Sequence, residues 1–320
     1  MPELPEVETV RRGLERLIVG KKIVDVKIYN EKSFQASPAD TKEFLVGAKV
    51  IAIRRRAKVL IIDLDSGYSL VTHLKMTGQL VFRGGEAWAA GHPTDSFVAE
   101  LPDRSTRVEF ILSSSDLIRG SRKNHELDSR VKHENDRTSL SHLFFNDQRK
   151  FGWIKLLPTI EVENIDFLSK VGPEPLTGDP KLPEKFIKNI RHRNNTTIKA
   201  AILDQTVIAG IGNIYADESL WGAKIHPATR VRDLSDTQLK KILAEAIKVM
   251  NKSIDSGGST MKNYIKADGT KGNYLEKFAN VFRRDGEPCP RCGTTIEKIR
   301  IAGRGTHICP RCQKLAKMAK

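Results

Sequence analysis

The sequence predicts an α+β protein of more than one domain, and three observations carry that prediction. Between Lys22 and Leu157, eight short segments rich in β-branched residues follow one another with Gly and Ser between them. Past Pro158 the pattern turns helical behind a stiff connection containing Gly172, Pro173, Glu174, Pro175, Asp179, Pro180 and Pro183. Near the end, Cys289-Pro290-Arg291-Cys292 is followed after sixteen residues by Cys309-Pro310-Arg311-Cys312. The expected parts are an antiparallel β-sandwich or barrel over residues 1–158, a helical domain over 159–282 and a small metal-held finger over 283–320.

The first helix is expected from Leu4 to Leu17. Val7, Val10, Leu14, Leu17 and Ile18 recur at helical spacing, and Gly20 breaks the run. In front of it stands Met1-Pro2-Glu3-Leu4-Pro5-Glu6. If an aminopeptidase removes Met1, Pro2 presents a secondary amine with a carboxylate on the next residue. An α-amino group titrates near ~7.7–8.0, far below a lysine at ~10.4, so a useful fraction of it is uncharged and nucleophilic in the cell. Attack on a sugar or carbonyl carbon would give an iminium that is already cationic. The plainer reading is an extended lead-in segment with its glutamates on a solvated helical turn.

Strands are expected at Lys22–Tyr29, Ala48–Arg54, Val59–Leu64, Ser69–Leu74, Gln79–Phe82, Arg107–Leu112, His142–Asn146 and Trp153–Leu157. The polar, mixed-charge stretch from Ser113 to Ser141 reads as a mobile hairpin insertion. Helices follow at Lys185–Asn189, Ile198–Asp204 and Ile214–Trp221, then from Asp236 to about Ser253. The last has Ser235 and Gln238 placed as a capping box and Leu239, Ile242, Leu243, Ala246, Ile247 and Met250 as its buried stripe. Gly210-Ile211-Gly212-Asn213 joins two short helices, and the backbone N–H groups of such a turn suit a phosphate. A dinucleotide-binding loop is excluded, because Tyr215 stands where its third glycine would be and no βαβ unit surrounds it.

Two Cys-x-x-Cys knuckles supply the four thiolates of a tetrahedral Zn²⁺ site at Cys289, Cys292, Cys309 and Cys312. Four protein ligands leave no open position, so the zinc is expected to be structural. A redox dithiol would need one such motif in a different context. Between Arg283 and Lys320, ten Lys or Arg stand against three acidic residues, and a hairpin from Ile296 to His307 would carry Arg300 and Arg304 outward.

Charge points to the partner. The chain has 54 Lys+Arg against 39 Asp+Glu, a formal +15, which suits a polyanion, nucleic acid before an acidic membrane face. No apolar run approaches a membrane span, no signal peptide is legible, and cysteines confined to one finger favour a reducing, cytosolic setting.

With both ends in hand, the chain resembles the bacterial formamidopyrimidine-DNA glycosylases of the Fpg/Nei family. Pro-Glu-Leu-Pro-Glu at the terminus, Gly-x-Gly-Asn-Ile-Tyr-Ala in the helical region and the four-Cys finger occur together and in order. The resemblance implies a β-sandwich with an N-terminal helix, a helix-two-turn-helix domain and a zinc ribbon, with damaged double-stranded DNA lying across the cleft. It implies a monomeric glycosylase and AP lyase for oxidised purines, acting in the cytoplasm at the nucleoid, with one structural zinc and no nucleotide cofactor. Pro2 matches the family's nucleophile at C1′, Glu3 its acid toward the sugar ring oxygen, and Lys58 the lysine that contacts phosphate beside the lesion and assists catalysis. Glu6 matches the motif's second glutamate. Met76, Arg149 and Phe151 match the trio that fills the gap left by a flipped base. His73 and Lys199 fall among the DNA-binding positions, Asn213 and Arg304 match phosphate ligands, and Arg304 also stands with the catalytic set. The loop from Ser259 to Tyr274 resembles the family's base-capping loop. Lys75, Gln148 and Lys150 depart from the usual motifs and bear on substrate preference. An endonuclease VIII-like enzyme for oxidised pyrimidines usually begins Pro-Glu-Gly-Pro, where this chain has Leu4. A zinc-ribbon DNA-binding protein without chemistry is the other alternative.

Overall fold

A computed structural model of the protein describes residues 2–92, 94–113, 140–258 and 279–315. The expected hairpin insertion and the expected base-capping loop, Ser259–Tyr274, lie outside the described residues, apart from strand residues Ser113 and Ser141 and the adjoining Leu140. Two five-stranded sheets share one apolar core, which resolves the choice between sandwich and barrel. Their orders are β1-β8-β9-β6-β7 and β2-β10-β5-β4-β3. The first holds β1 (Lys22–Ile28), β6 (Gly78–Arg83), β7 (Ala87–Gly91), β8 (Thr106–Ser113) and β9 (Ser141–Asp147). The second holds β2 (Phe34–Gln35), β3 (Val50–Arg56), β4 (Val59–Leu64), β5 (Tyr68–His73) and β10 (Trp153–Pro158). All pairs are antiparallel except β2 with β10, a two-residue parallel exception. A short helical turn, α2 (Pro38–Asp40), continues into Thr41–Leu45 before β3.

Alternation sets the layers. Leu60 and Ile62 of β4 point into the shared core with Leu70, Leu80, Phe110, Phe145 and Ile154. Val59 and Ile61 face the other way and are covered by Val162 and Leu168. Those two residues lie in a 3₁₀ turn at Thr159–Asn164 and in α3 (Asp166–Ser169). This stretch therefore packs with the sandwich, beyond the boundary at 158 that the change of pattern suggested. β3 also runs further than expected, to Arg56. The expectation stopped at Arg54, before the charged pair Arg55-Arg56, but Arg54 pairs with Asp63 at 2.6 Å and Arg55 with Glu8 at 3.2 Å. β7 was not expected at all, because Ala-Trp-Ala-Ala-Gly lacks the branched side chains that mark a strand.

The helical region contains α4 (Leu182–Arg191), α5 (Ile198–Leu203), α6 (Asn213–Ala223) and α7 (Asp236–Asp255). The expected capping box forms at Ser235, whose hydroxyl accepts from Gln238 N at 3.3 Å while Gln238 Oε1 accepts from Ser235 N at 2.9 Å. Beyond α7, buried Glu218 on α6 accepts from the backbone N–H groups of Asn280, Val281 and Phe282 at 2.9–3.0 Å. That bond anchors the approach to the finger, where β11 (Glu297–Ile301) pairs with β12 (Arg304–Ile308). Among the described residues, no helix is long and apolar enough to cross a membrane.

α1 (Leu4–Ile18) joins the two larger parts. Val7, Val10, Leu14 and Leu17 sit in the sandwich core, while Leu4 sits in the helical core beside Ile211 and Tyr215. Gly13 marks its closest approach to the sandwich, since a Cβ there would overlap the ring of buried Trp88. Gly13→Ala is expected to destabilise by about 1–3 kcal/mol through overpacking, despite the better helix propensity of alanine. Calorimetric melting checks this, and an unchanged midpoint would mean that Trp88 gives way freely.

Candidate active site and metal centre

The site forms where the chain's first residues meet the turn before α6. Glu3 caps α1 in an extended conformation, and its N–H donates to Glu6 Oε2 at 2.8 Å. Its carboxylate accepts from Ile214 N at 3.0 Å, with Tyr215 N at 3.5 Å. The N–H groups that the sequence offers to a phosphate are thus already engaged by the protein's own carboxylate. Two glycines allow the approach. At Gly210, with φ +85°, a Cβ would strike Leu4, whose N–H donates to Gly210 O at 3.1 Å. At Gly212 a Cβ would strike the Glu3 carboxylate itself.

A helix N-terminus favours the ionised carboxylate, but burial opposes it more strongly. Only 3 % of Glu3 is exposed, and loss of water pushes its pKa up to about 7, against the pull of Lys58 and of the Ile214 N–H. Glu6 adds to the rise and is itself buried, accepting from Tyr215 Oη at 2.7 Å. Tyr215 Oη also lies 2.6 Å from Ser253 Oγ on α7, and burial holds its phenol well above the ordinary range. Lys58 enters from the β3–β4 turn with Nζ 2.9 Å from Ile211 O. Burial lowers its pKa, Glu3 and Glu6 raise it, and nearby Arg304 lowers it further. Pro2, Glu3 and Lys58 are thereby drawn together, Pro2 buried beside an acid poised near neutrality.

The expected trio also converges. Arg149 Nη1 lies 3.2 Å from Met76 Sδ, and its guanidinium sits 4.9 Å from the Phe151 ring centroid. Met76 is 42 % and Phe151 53 % exposed, an unusual pairing for large apolar side chains that have a core available. Asp147 holds their loop. Buried at the end of β9, it accepts from Arg149 N at 3.2 Å, Gly152 N at 2.6 Å and the Thr77 hydroxyl. Nothing in the sequence around Asp147 marks it for this part, because its Thr77 partner lies 70 residues away.

Three expected DNA ligands stand differently. Lys199 is fully buried, with Nζ 2.6 Å from Asp217 Oδ1, 2.7 Å from Thr306 Oγ1 and 3.2 Å from Gly305 O. It braces the helices against the finger hairpin, because Asp217 also accepts from His307 N at 2.9 Å. Asn213 Nδ2 donates to Gly305 O at 3.0 Å, which ties α6 to the same hairpin. His73 is buried, and its Nδ1 accepts from Lys75 N at 3.0 Å, so any ring proton is on Nε2. Burial, then Lys75 and Lys58, push its pKa down to about 3, so it is neutral at physiological pH. Arg304 remains exposed at the hairpin tip.

The four cysteines are unbridged, and their Sγ atoms all lie within 4.8 Å of one another. Thiolates 2.3 Å from a tetrahedral zinc stand about 3.8 Å apart, so the residues fit the ion. Trp221 on α6 backs the knuckle, its indole N–H donating to Cys289 Sγ at 3.4 Å while Arg291 stacks 3.9 Å from its ring centroid.

Comparison with known proteins agrees with this arrangement. The family model described as formamidopyrimidine-DNA glycosylase N-terminal domain matches residues 1–154, that of the H2TH domain 171–264, and that of a zinc finger found in FPG and IleRS 286–315. A formamidopyrimidine-DNA glycosylase of Pelotomaculum thermopropionicum is 35 % identical over 316 residues, covering 98 % of this chain and 100 % of that protein. Its counterpart in Streptococcus mutans is 37 % identical over 315 residues, with the same coverage of 98 % and 100 %. The solved complex of Lactococcus lactis Fpg with DNA containing an abasic site superposes with a TM-score of 0.78 at 31 % identity, over 98 % of this chain and 100 % of that one.

Metal analysis is expected to find about one zinc per chain. Chelation should expose the four thiols to a colorimetric reagent and shift Trp221 fluorescence, and zinc should reverse both. Thiols already reactive in the untreated protein would contradict a filled site.

Proposed function

The chain belongs to the formamidopyrimidine-DNA glycosylase family, and on that premise we propose that it excises oxidised purines through a covalent intermediate at Pro2 and then cuts the emptied strand. It is a base-excision repair enzyme that acts on damaged DNA. The observation that carries the finer reading is that buried Pro2 adjoins a near-neutral acid, Glu3, whose carboxylate is within electrostatic reach of the buried lysine Lys58.

Once Met1 is removed, the Pro2 nitrogen is a secondary amine. It bonds to C1′ of a nucleotide turned out of the duplex and sheds its N–H proton, and the C1′–N bond to the damaged base breaks as the base takes up a proton, which leaves a lone pair on the Pro2 nitrogen. Protonated Glu3 gives its proton to the ring oxygen, the ring C1′–O bond opens, and the amine's lone pair completes an iminium. The iminium acidifies C2′, so loss of a C2′ proton expels the 3′ phosphate, and a second elimination expels the 5′ phosphate. Lys58 and Arg304 bring positive charge to the phosphates beside the lesion. Met76 and Phe151 replace the stacking lost on extrusion while Arg149 bonds the orphaned base. Lys199 and Asn213 hold the finger hairpin in place and reach DNA through Arg304. The bound zinc keeps the finger folded, and the enzyme works as a cytoplasmic monomer.

Borohydride added to enzyme and a duplex containing 8-oxoguanine opposite cytosine is expected to trap a covalent adduct. Adduct should be absent with undamaged duplex and lost or strongly reduced with Pro2→Gly, which leaves only a primary amine at the terminus. Adduct formed by Pro2→Gly at the wild-type level would remove the role proposed for Pro2.

The raised pKa of Glu3 fixes the sign of a pH effect. Below about 7 the folded enzyme holds Glu3 protonated, and above it the proton is lost, so single-turnover base release should fall as pH rises through about 7. Because an unfolded glutamate titrates near 4.5, the stability gained by protonating buried Glu3 is full below 4.5 and lost as pH rises to about 7. Glu3→Gln should lower the rate by roughly 10²–10⁴-fold and abolish that limb. A limb that survives in Glu3→Gln belongs to another group.

A further inference from the structure

The turn that presents Lys58 is clamped by a carboxylate from the far side of the domain junction. Ala57 and Lys58 alone connect β3 to β4, with Arg56 paired opposite Val59. Ala57 lies at φ +54°, a position where two-residue hairpin turns ordinarily place glycine or asparagine. Both of its peptide groups are held. Its N–H donates to the Glu174 carboxylate, and its carbonyl accepts from Arg55 Nη1 at 2.9 Å. Arg55 also grips Glu174 with both terminal nitrogens, each at 2.8 Å, and reaches Glu8 through Nε at 3.2 Å. The side chains of Arg55 and Glu174 are 8 % and 6 % exposed.

We propose that Glu174 is a positioning residue for base excision: with Arg55 it locks Ala57 in the left-handed conformation and so fixes the direction in which Lys58 enters the site. A plain staple between domains would need only the Arg55–Glu174 pair. Here the two partners of the pair also take the N–H and the carbonyl of one strained alanine, the residue immediately before Lys58. The restraint falls on a single peptide unit on each side of Ala57. Lys58 leaves that unit buried, with its amine on Ile211 O at 2.9 Å, so a small rotation at Ala57 would swing Nζ off its seat. The inference rests on the glycosylase reading above.

Two readouts test it, one independent of activity. In the first, base release from an 8-oxoguanine duplex is followed under single-turnover conditions. Glu174→Gln is expected to be about 100-fold slower, the scale of a catalytic group misplaced by about 1 Å. The same change in a Lys58→Ala background should cost less than about 3-fold, because residues acting as a unit are not additive. Adding Ala57→Gly to Glu174→Gln should recover roughly 5-fold, since glycine adopts the turn unaided. In the second, lysines of the whole protein are acetylated and mapped by mass spectrometry. Lys58 should be protected in the wild type and labelled in Glu174→Gln, while Lys199, buried elsewhere, stays protected in both. Should Glu174→Gln fail to fold, Arg55→Lys keeps the charge but loses the fork, and the same pattern is expected of it. A wild-type rate, or a 100-fold loss that persists without Lys58, overturns the role, as does Lys58 remaining protected. If the wild type releases no base, the glycosylase reading falls while the labelling still decides whether Glu174 seats Lys58.

Discussion

Everything in this protein turns on the seating of residues 2–4 in a domain made much later in the chain. Leu4 is buried in the helical core, and its N–H bonds Gly210, while the Glu3 carboxylate closes the N-terminus of α6. The rest of α1 belongs to the sandwich. One helix therefore serves two cores, and the residues at its start have almost no freedom relative to either. A chain terminus such as that of the proposed nucleophile, Pro2, would ordinarily be frayed. Here it is fixed by apolar burial on one side and by the hydrogen bonds of the Glu3 carboxyl group on the other, and the two glycines of the opposing turn are what leave room for both.

Buried carboxylates recur at the joints between elements. Glu3 and Glu218 each take consecutive backbone N–H groups, Asp147 takes those of the loop carrying Arg149, and Asp217 joins Lys199 to the finger. Burying such charges costs several kcal/mol apiece before pairing is counted, and a well-packed apolar residue would often serve stability as well. What the carboxylates supply is direction. Each accepts from several donors at fixed angles, so each joint has one geometry, and the surfaces it carries meet the substrate in one register.

How much of this could be read beforehand follows from separation along the chain. Pro2-Glu3 and the cysteine knuckles carry their chemistry within a few neighbouring residues, and β4 emerged with its limits, Val59–Leu64, because its apolar run is local. Met76, Arg149 and Phe151 were legible through resemblance, and it is their shared exposure that gives the grouping a physical meaning. The roles of Asp147, Asp217 and Tyr215 were not legible, since each bonds a group that lies far away along the chain. Glu174 lies 117 positions from the Ala57 N–H it binds, and within Gly-Pro-Glu-Pro it looks like part of a stiff connection. Lys199 entered through resemblance among the DNA-binding positions, and the aspartate that holds it, eighteen residues on, was not legible from its neighbours.

The shared helix also sets a timetable. The core that receives Leu4 includes Ile254 from the end of α7, so the ribosome must deliver most of the chain before the terminus can settle. At roughly 5–20 residues per second this leaves the nascent end unseated for some ten seconds to most of a minute. Within that interval Met1 is open to the aminopeptidase, and afterwards Pro2 is buried.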